Sequence, residues 1–147
     1  VNPEVVGRSY PPTAPYLVGR EKVREFSRAV LASNPVNLDP VAARAAGYSD
    51  VVAPPTFAVV VQELTLAQIL ADEDAGIDFS RVVHRDQKFS YERPIVAGDE
   101  LTAVVTITSV KSLAGNSLVT AESAINDASG ALVVTATSTL MVRAEES

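Results

Sequence analysis

An α+β domain, with one long apolar helix wrapped by an antiparallel sheet, is the architecture the sequence predicts. Three observations predict it. Residues 56–71 carry apolar side chains around the whole circumference of a helix, the pattern of a helix buried on all sides. Everything after Arg81 is dense in Val, Thr and Ile with strand-like alternation. Helices come first and strands afterwards, which separates the chain from a βαβ alternation.

Along the chain, residues 1–14 are rich in proline and have no period, so they read as an irregular arm kept extended by Pro11, Pro12 and Pro15. A short strand is expected at 16–18. Val23, Phe26, Ala29 and Val30 fall at helical spacing, predicting a helix over 20–31. Asp39-Pro40 is an N-cap and first-turn pair and Gly47 a stop, giving a short second helix over 40–46. The long helix follows from about Thr56 to Ala71, with Phe57, Val60, Val61 and Leu64 expected in the core, and Asp72–Gly76 ends it. Strands are expected at 82–91, 101–110, 117–126 and 132–143, with turns at 114–116 and 127–130. No repeat or composition break divides the chain, so 1–147 reads as a single domain.

The composition narrows the function. At 147 residues the chain can bury a real core. It has no cysteine, hence no disulfide, thiol nucleophile or thiolate metal site, and its single histidine leaves little for a transition metal. We therefore expect neither metal nor cofactor. A net charge of −6 argues against nucleic acid as a partner. No apolar run approaches the ~18 residues of a membrane span, and the start shows no signal-peptide pattern, so the expectation is a cytoplasmic protein without a membrane partner.

The most specific stretch is Leu31-Ala-Ser-Asn-Pro-Val-Asn-Leu-Asp-Pro40, continued by Gly47-Tyr48 and Val52-Ala-Pro-Pro-Thr-Phe57. It resembles the active-site segment of MaoC-like hydratases and dehydratases, where Gly-Asp-x-Asn-Pro-Leu-His-x-Asp is followed by Gly-Phe or Gly-Tyr and then Ile-Ala-Pro-Gly. Asn34, Pro35, Asp39, Pro40, Gly47, Tyr48, Ala53 and Pro54 match. Gly19-Arg-Glu-Lys-Val-Arg-Glu-Phe26 and Arg93-Pro-Ile-Val-Ala-Gly-Asp99 extend the resemblance over about 10–143. The resemblance is to the MaoC-like N-terminal (FAS1-like) dehydratase domains, most closely the non-catalytic substrate-binding subunits of mycobacterial (3R)-hydroxyacyl-ACP dehydratases. It supplies the name hot-dog fold for the helix wrapped by a sheet.

What the resemblance implies about the chemistry is largely negative. The catalytic Asp position holds Ala32 and the catalytic His position holds Asn37. Neither can exchange a proton near neutral pH. Pro55 stands where the family's glycine N–H binds the thioester oxygen, and proline has no N–H. No catalytic residue is therefore expected on this stretch, while Asn37, Thr56, Phe57 and Val60 are the candidates to contact an acyl chain. Taken without the resemblance, Asn34-Pro35 and Asp39-Pro40 are turn signals and Pro55 is a good first helical residue.

Other groups are minor catalytic candidates. His84 and Asp86 are two residues apart, which on a regular strand sets them on one face as a possible base pair; a surface His is the plainer reading. Glu63 lies on the long helix, where hot-dog thioesterases carry a carboxylate; a helix-edge carboxylate reaching water is the plainer reading. Arg20, Arg24 and Arg28 form a basic stripe that would suit a carrier protein or the phosphates of coenzyme A, but Glu21 and Glu25 interleave and can neutralise it. Three functions stay open: an acyl-thioester-binding subunit that needs a sister hot-dog chain with an intact Asp/His pair; a homodimeric hydratase or thioesterase acting alone; and an acyl-CoA-binding module without turnover. For the first, the expected ligand is an acyl-CoA or acyl-ACP thioester.

Overall fold

The computed structural model describes residues 1–145, and the chain folds as an α+β hot-dog: a curled five-stranded antiparallel sheet holding one helix in its concave face. The elements are β1 (Tyr16–Leu17), α1 (Arg20–Ala29), α2 (Pro40–Ala45), α3 (Ala58–Ala71), β2 (Val82–Tyr91), β3 (Glu100–Leu113), β4 (Asn116–Asn126) and β5 (Leu132–Val142). Strand order is β1-β3-β4-β5-β2. The connections follow the turn chemistry. Ala114 and Gly115 both have positive φ (49° and 81°), the two-residue reversal that matches strand twist. Asp39 Oδ1 accepts the Val41 N–H at 2.9 Å to start α2, and Gly47 (φ 95°) follows its end. Helix α1 stops two residues short of expectation, because Leu31 turns into the left-handed region at φ 58°.

Alternation along β3, β4 and β5 turns Leu101, Ala103, Val105, Val119, Ile125, Val134, Ala136 and Leu140 into the core. Phe57, which precedes α3 in a single 3-10 turn (Pro55–Phe57), is fully buried and packs edge-on against Phe26 with centroids 5.3 Å apart. Edge-to-face aromatic pairs add to area burial. Phe57→Ala is therefore expected to lower unfolding stability by about 3–5 kcal/mol, the range for a buried aromatic truncated to alanine. Urea denaturation measures it, and a loss under about 1 kcal/mol would show that Phe57 is not a core anchor.

Two sheet edges are treated differently. The free edge of β3 is covered by the arm: the Gly7, Tyr10 and Thr13 N–H groups donate to the Ile107, Val105 and Ala103 carbonyls at 2.7, 3.0 and 2.9 Å. Val5 of the arm is fully buried. Asp72, just past α3, ties the arm down by accepting from Arg8 Nη1 at 2.6 Å and from the Tyr10 hydroxyl at 2.8 Å. Strand β2 lies at the other edge, pairs with β5 on one side only, and presents ten residues of open edge.

Helix α3 departs from the expectation that it is covered on every side. Ala58, Val61, Gln62, Thr65 and Ile69 are buried against the sheet, but Leu64 is 40% exposed and Glu63 and Ala67 face out. Phe57 and Val61 are in the core as expected; Val60 is half-buried against it and Leu64 is not in it. The sheet curls around only one side of the helix, so a single chain cannot cover the apolar outer face.

Several surface carboxylates are held ionised by local hydrogen bonds. The Ser129 hydroxyl above all draws Asp127 down from 3.8 to about 2; desolvation opposes it, and Arg93 and the Ala131 and Ser129 N–H groups add to the lowering. Tyr10 and Arg8 lower Asp72, and Arg20 lowers Asp50. A depressed folded-state pKa adds stability above the unfolded value that is lost as pH falls through the folded value. For Asp127, Tm should thus be insensitive from neutral pH to about 5 and fall as pH drops through 3.8 toward about 2; Asp72 and Asp50 act in the same direction. A thermal melt series that begins its decline near pH 6 would contradict this.

Candidate functional site

The turn that carries Asn37 is built from its own polar residues. Asn34 Oδ1 accepts the Val36 N–H at 3.1 Å, and Pro35–Asn37 form one 3-10 turn. Asn37 is consumed in holding that turn to the next segment. Its Nδ2 donates to the Val52 carbonyl at 2.6 Å, and its own carbonyl accepts from the Ser27 hydroxyl at 3.3 Å. Ala32 hangs on the same network, its N–H donating to the Ser27 carbonyl at 2.8 Å. Residues 51–53 continue as an extended piece against 95–97, with Ala53 N–H donating to Ile95 O at 2.8 Å. Ala32 and Asn37 are thus linked through Ser27, and the hydrogen bonds around Asn37 are structural.

At the entrance to α3, Pro55 and Thr56 are exposed and Phe57 is buried. Of the expected acyl contacts, Thr56 and the half-buried Val60 remain accessible, whereas Phe57 is enclosed in the core and can only shape such a surface from behind. The Tyr91 hydroxyl, from the far end of β2, donates to the Pro55 carbonyl. Burial pushes that hydroxyl up to about 12, with a smaller opposing effect of the Ala58 N–H, so Tyr91 is a neutral donor at physiological pH. Sequence reasoning missed Tyr91. Its only signal was its place on the inward-facing alternation of β2.

Strand β2 corrects a second expectation. A β-bulge interrupts the register between His84, opposite Leu140, and Asp86, opposite Thr139. The extra residue, Arg85, reverses the alternation, so His84 shares the inward face of buried Leu140 while Asp86 turns outward. The two side chains form no acid/base pair; His84 Nε2 instead lies 3.0 Å from the Asp86 backbone carbonyl. After the bulge, Gln87, Phe89 and Tyr91 sit opposite Ser138, Ala136 and Val134, all on the inner face. Glu63 is exposed on α3 and shares a small cavity with His84, Gln62, Gln87, Ser138 and Leu140.

The basic stripe is largely neutralised. Arg20 makes a two-point contact with Asp50 (3.0 and 2.8 Å), and Arg24 pairs with Glu21 at 2.7 Å; Arg28 is exposed. Among the described residues no cluster of three or more His, Asp or Glu is placed to hold a metal ion, and no helix is long and apolar enough to cross a membrane.

A helix cradled in a curled five-stranded sheet, with the Asn34–Asp39 segment braced against the strip leading into that helix, is the hydratase/dehydratase hot-dog fold of MaoC type. Residues 4–136 match the FAS1-like dehydratase domain region, and the chain belongs to that family. A UPF0336 protein of Leifsonia xyli subsp. xyli is 66% identical over 146 residues, covering 99% of this chain and 98% of the relative. Among solved structures, the C-terminally truncated HadBC (3R-hydroxyacyl-ACP dehydratase) complex of Mycobacterium tuberculosis superposes with a TM-score of 0.82 at 33% identity, over 96% of this chain and 99% of the other. A MaoC-like dehydratase gives 0.83 at 37% identity; 95% of this chain aligns with 42% of that longer one.

Proposed function

We propose that this chain is the non-catalytic, acyl-thioester-binding subunit of a (3R)-hydroxyacyl-thioester dehydratase, completed by a sister hot-dog chain that carries the Asp/His pair. The observation that carries this reading is the state of the dyad position. Ala32 has nothing to titrate, and the Asn37 amide is pinned to the Val52 carbonyl. Pro55, at the entrance to α3, adds the loss of one N–H donor. Support for a partner comes from the open edge of β2 and the uncovered face of α3, and from the HadBC structure being a complex. Two identical copies would form two sites, both without the pair. The ligand is an acyl-CoA or acyl-ACP whose chain runs past Thr56 and Val60.

Co-expression with a hot-dog chain that has Asp and His in place tests the reading. A heterodimer with dehydratase activity is the expected product on size exclusion and in a hydration assay. Ala32→Ser should change its turnover by no more than a few-fold. Val60→Phe should shift acyl-length preference, since each buried methylene is worth ~0.8 kcal/mol, about fourfold in affinity. No complex and an unchanged length profile would sink the subunit reading in favour of a stand-alone acyl-binding module.

A further inference from the structure

We propose that the small cavity between α3 and β2 is a polar subsite that takes a hydrogen-bonding group of the ligand, a hydroxyl or an amide, instead of plain hydrocarbon. The inference rests on the acyl-thioester reading above and adds the chemistry that part of the ligand must carry. Gln62 interrupts the core-facing row of α3 and is 5% exposed. Its Oε1 accepts from Gln87 Nε2 at 2.8 Å. The other end of that carboxamide, Gln87 Oε1, is shielded from solvent and has no hydrogen-bond partner among the described residues. Buried polar atoms are nearly always paired, and leaving one unpaired costs roughly 1–3 kcal/mol. Reversing both amides moves the deficit to a nitrogen without removing it; a hydroxyl or an amide satisfies either arrangement, and a methylene neither.

The space fits such a group. The cavity holds about 20 Å³, room for about one water-sized group. Ser138 of β5 lines it beside the two amides, and the exposed Glu63 and His84 stand at its rim. The bulge at Arg85 is what turns both His84 and Gln87 inward. Gln62 lies seven residues beyond Pro55, roughly 10 Å along a helix at 1.5 Å per residue. A group bound there is therefore several atoms from a thioester held at the α3 entrance. Two parts of an acyl-CoA carry this chemistry at that remove: an oxygenated acyl chain and the amides of the pantetheine arm.

Titration calorimetry of the full chain, alone and with its sister subunit, separates the possibilities. The probes are octanoyl-CoA, 8-hydroxyoctanoyl-CoA and pantetheine. If the acyl chain supplies the group, the wild type binds the hydroxylated probe roughly fivefold tighter than octanoyl-CoA, the scale of one net hydrogen bond. The Q62L/Q87L double variant, which removes both amides at near-constant volume, reverses that order. If the pantetheine arm supplies it, the double variant weakens all three probes by the same factor. Should the double variant not fold, Gln87→Met on the edge strand is expected to give the same pattern. Equal binding of octanoyl-CoA and its hydroxylated counterpart, unchanged by either variant, means that the cavity holds only water and overturns the inference while leaving the acyl-thioester reading intact. No binding of any probe by either preparation overturns both.

Discussion

Purified alone, the chain is expected to hydrate crotonyl-CoA-type substrates at no more than background. General acid–base catalysis supplies ~10²–10⁴-fold, and an oxyanion donor a further roughly 10²–10³-fold. Ala32 and Asn37 remove the carriers of the first, and Pro55 removes one donor for the second. The Tyr91 hydroxyl is spent on the Pro55 carbonyl, and the bulge separates His84 from Asp86. A hydration assay on the lone chain, followed by loss of the enoyl-thioester absorbance, reads the outcome directly. Robust turnover abolished by His84→Ala would overturn this and favour a homodimeric enzyme that uses its own histidine.

A proline scan of Lys88, Phe89 and Ser90 is expected to separate assembly from folding. Along an antiparallel strand, successive N–H groups point alternately toward and away from the neighbour. Within these three positions, proline at a residue whose N–H faces β5 breaks the internal ladder and lowers Tm. Proline at one whose N–H faces the open edge leaves the monomer intact and removes a donor needed by a second sheet. That variant should run as a monomer where the wild type runs as a dimer with itself or its sister. A similar pattern is expected for activity: the co-expressed pair loses turnover with the edge-facing proline although the catalytic chain is unaltered. Wild-type behaviour of every edge-facing variant would mean that β2 does not carry the interface, and that the uncovered face of α3 is met in some other way.

Some of the fold could be read along the chain because its causes are local. Asp39 caps α2 through the Val41 N–H two residues away, and Gly115 permits a reversal at its own position. The alternation of β3 to β5 records which side meets the core. Leu31 is an exception among local features: a left-handed leucine ends α1, and no glycine announces it. The inner face of the first half of β2 was illegible for another reason. Between His84 and Lys88 every residue is polar, so no alternation exists from which a one-residue slip could be detected. Only pairing with Leu140 and Thr139 reveals the bulge.

The candidate site divides in the same way. That Ala32, Asn37 and Pro55 stand where the resemblance implies a catalytic Asp, a catalytic His and an N–H donor is a matter of residue identity at matched motif positions, and the sequence alone determined which residues stand there. That Asn37 is tied to Val52, that Tyr91 reaches Pro55, and that Gln62 meets Gln87 depend on segments 15 to 36 residues apart being packed side by side. The apolar girdle of α3 shows both limits together. Composition marked the helix as one that belongs in an interior, but the sheet of one chain curls around a single side and leaves Leu64 exposed. Periodicity encodes what a helix or strand can bury; which neighbour buries it is decided by contacts distant in sequence.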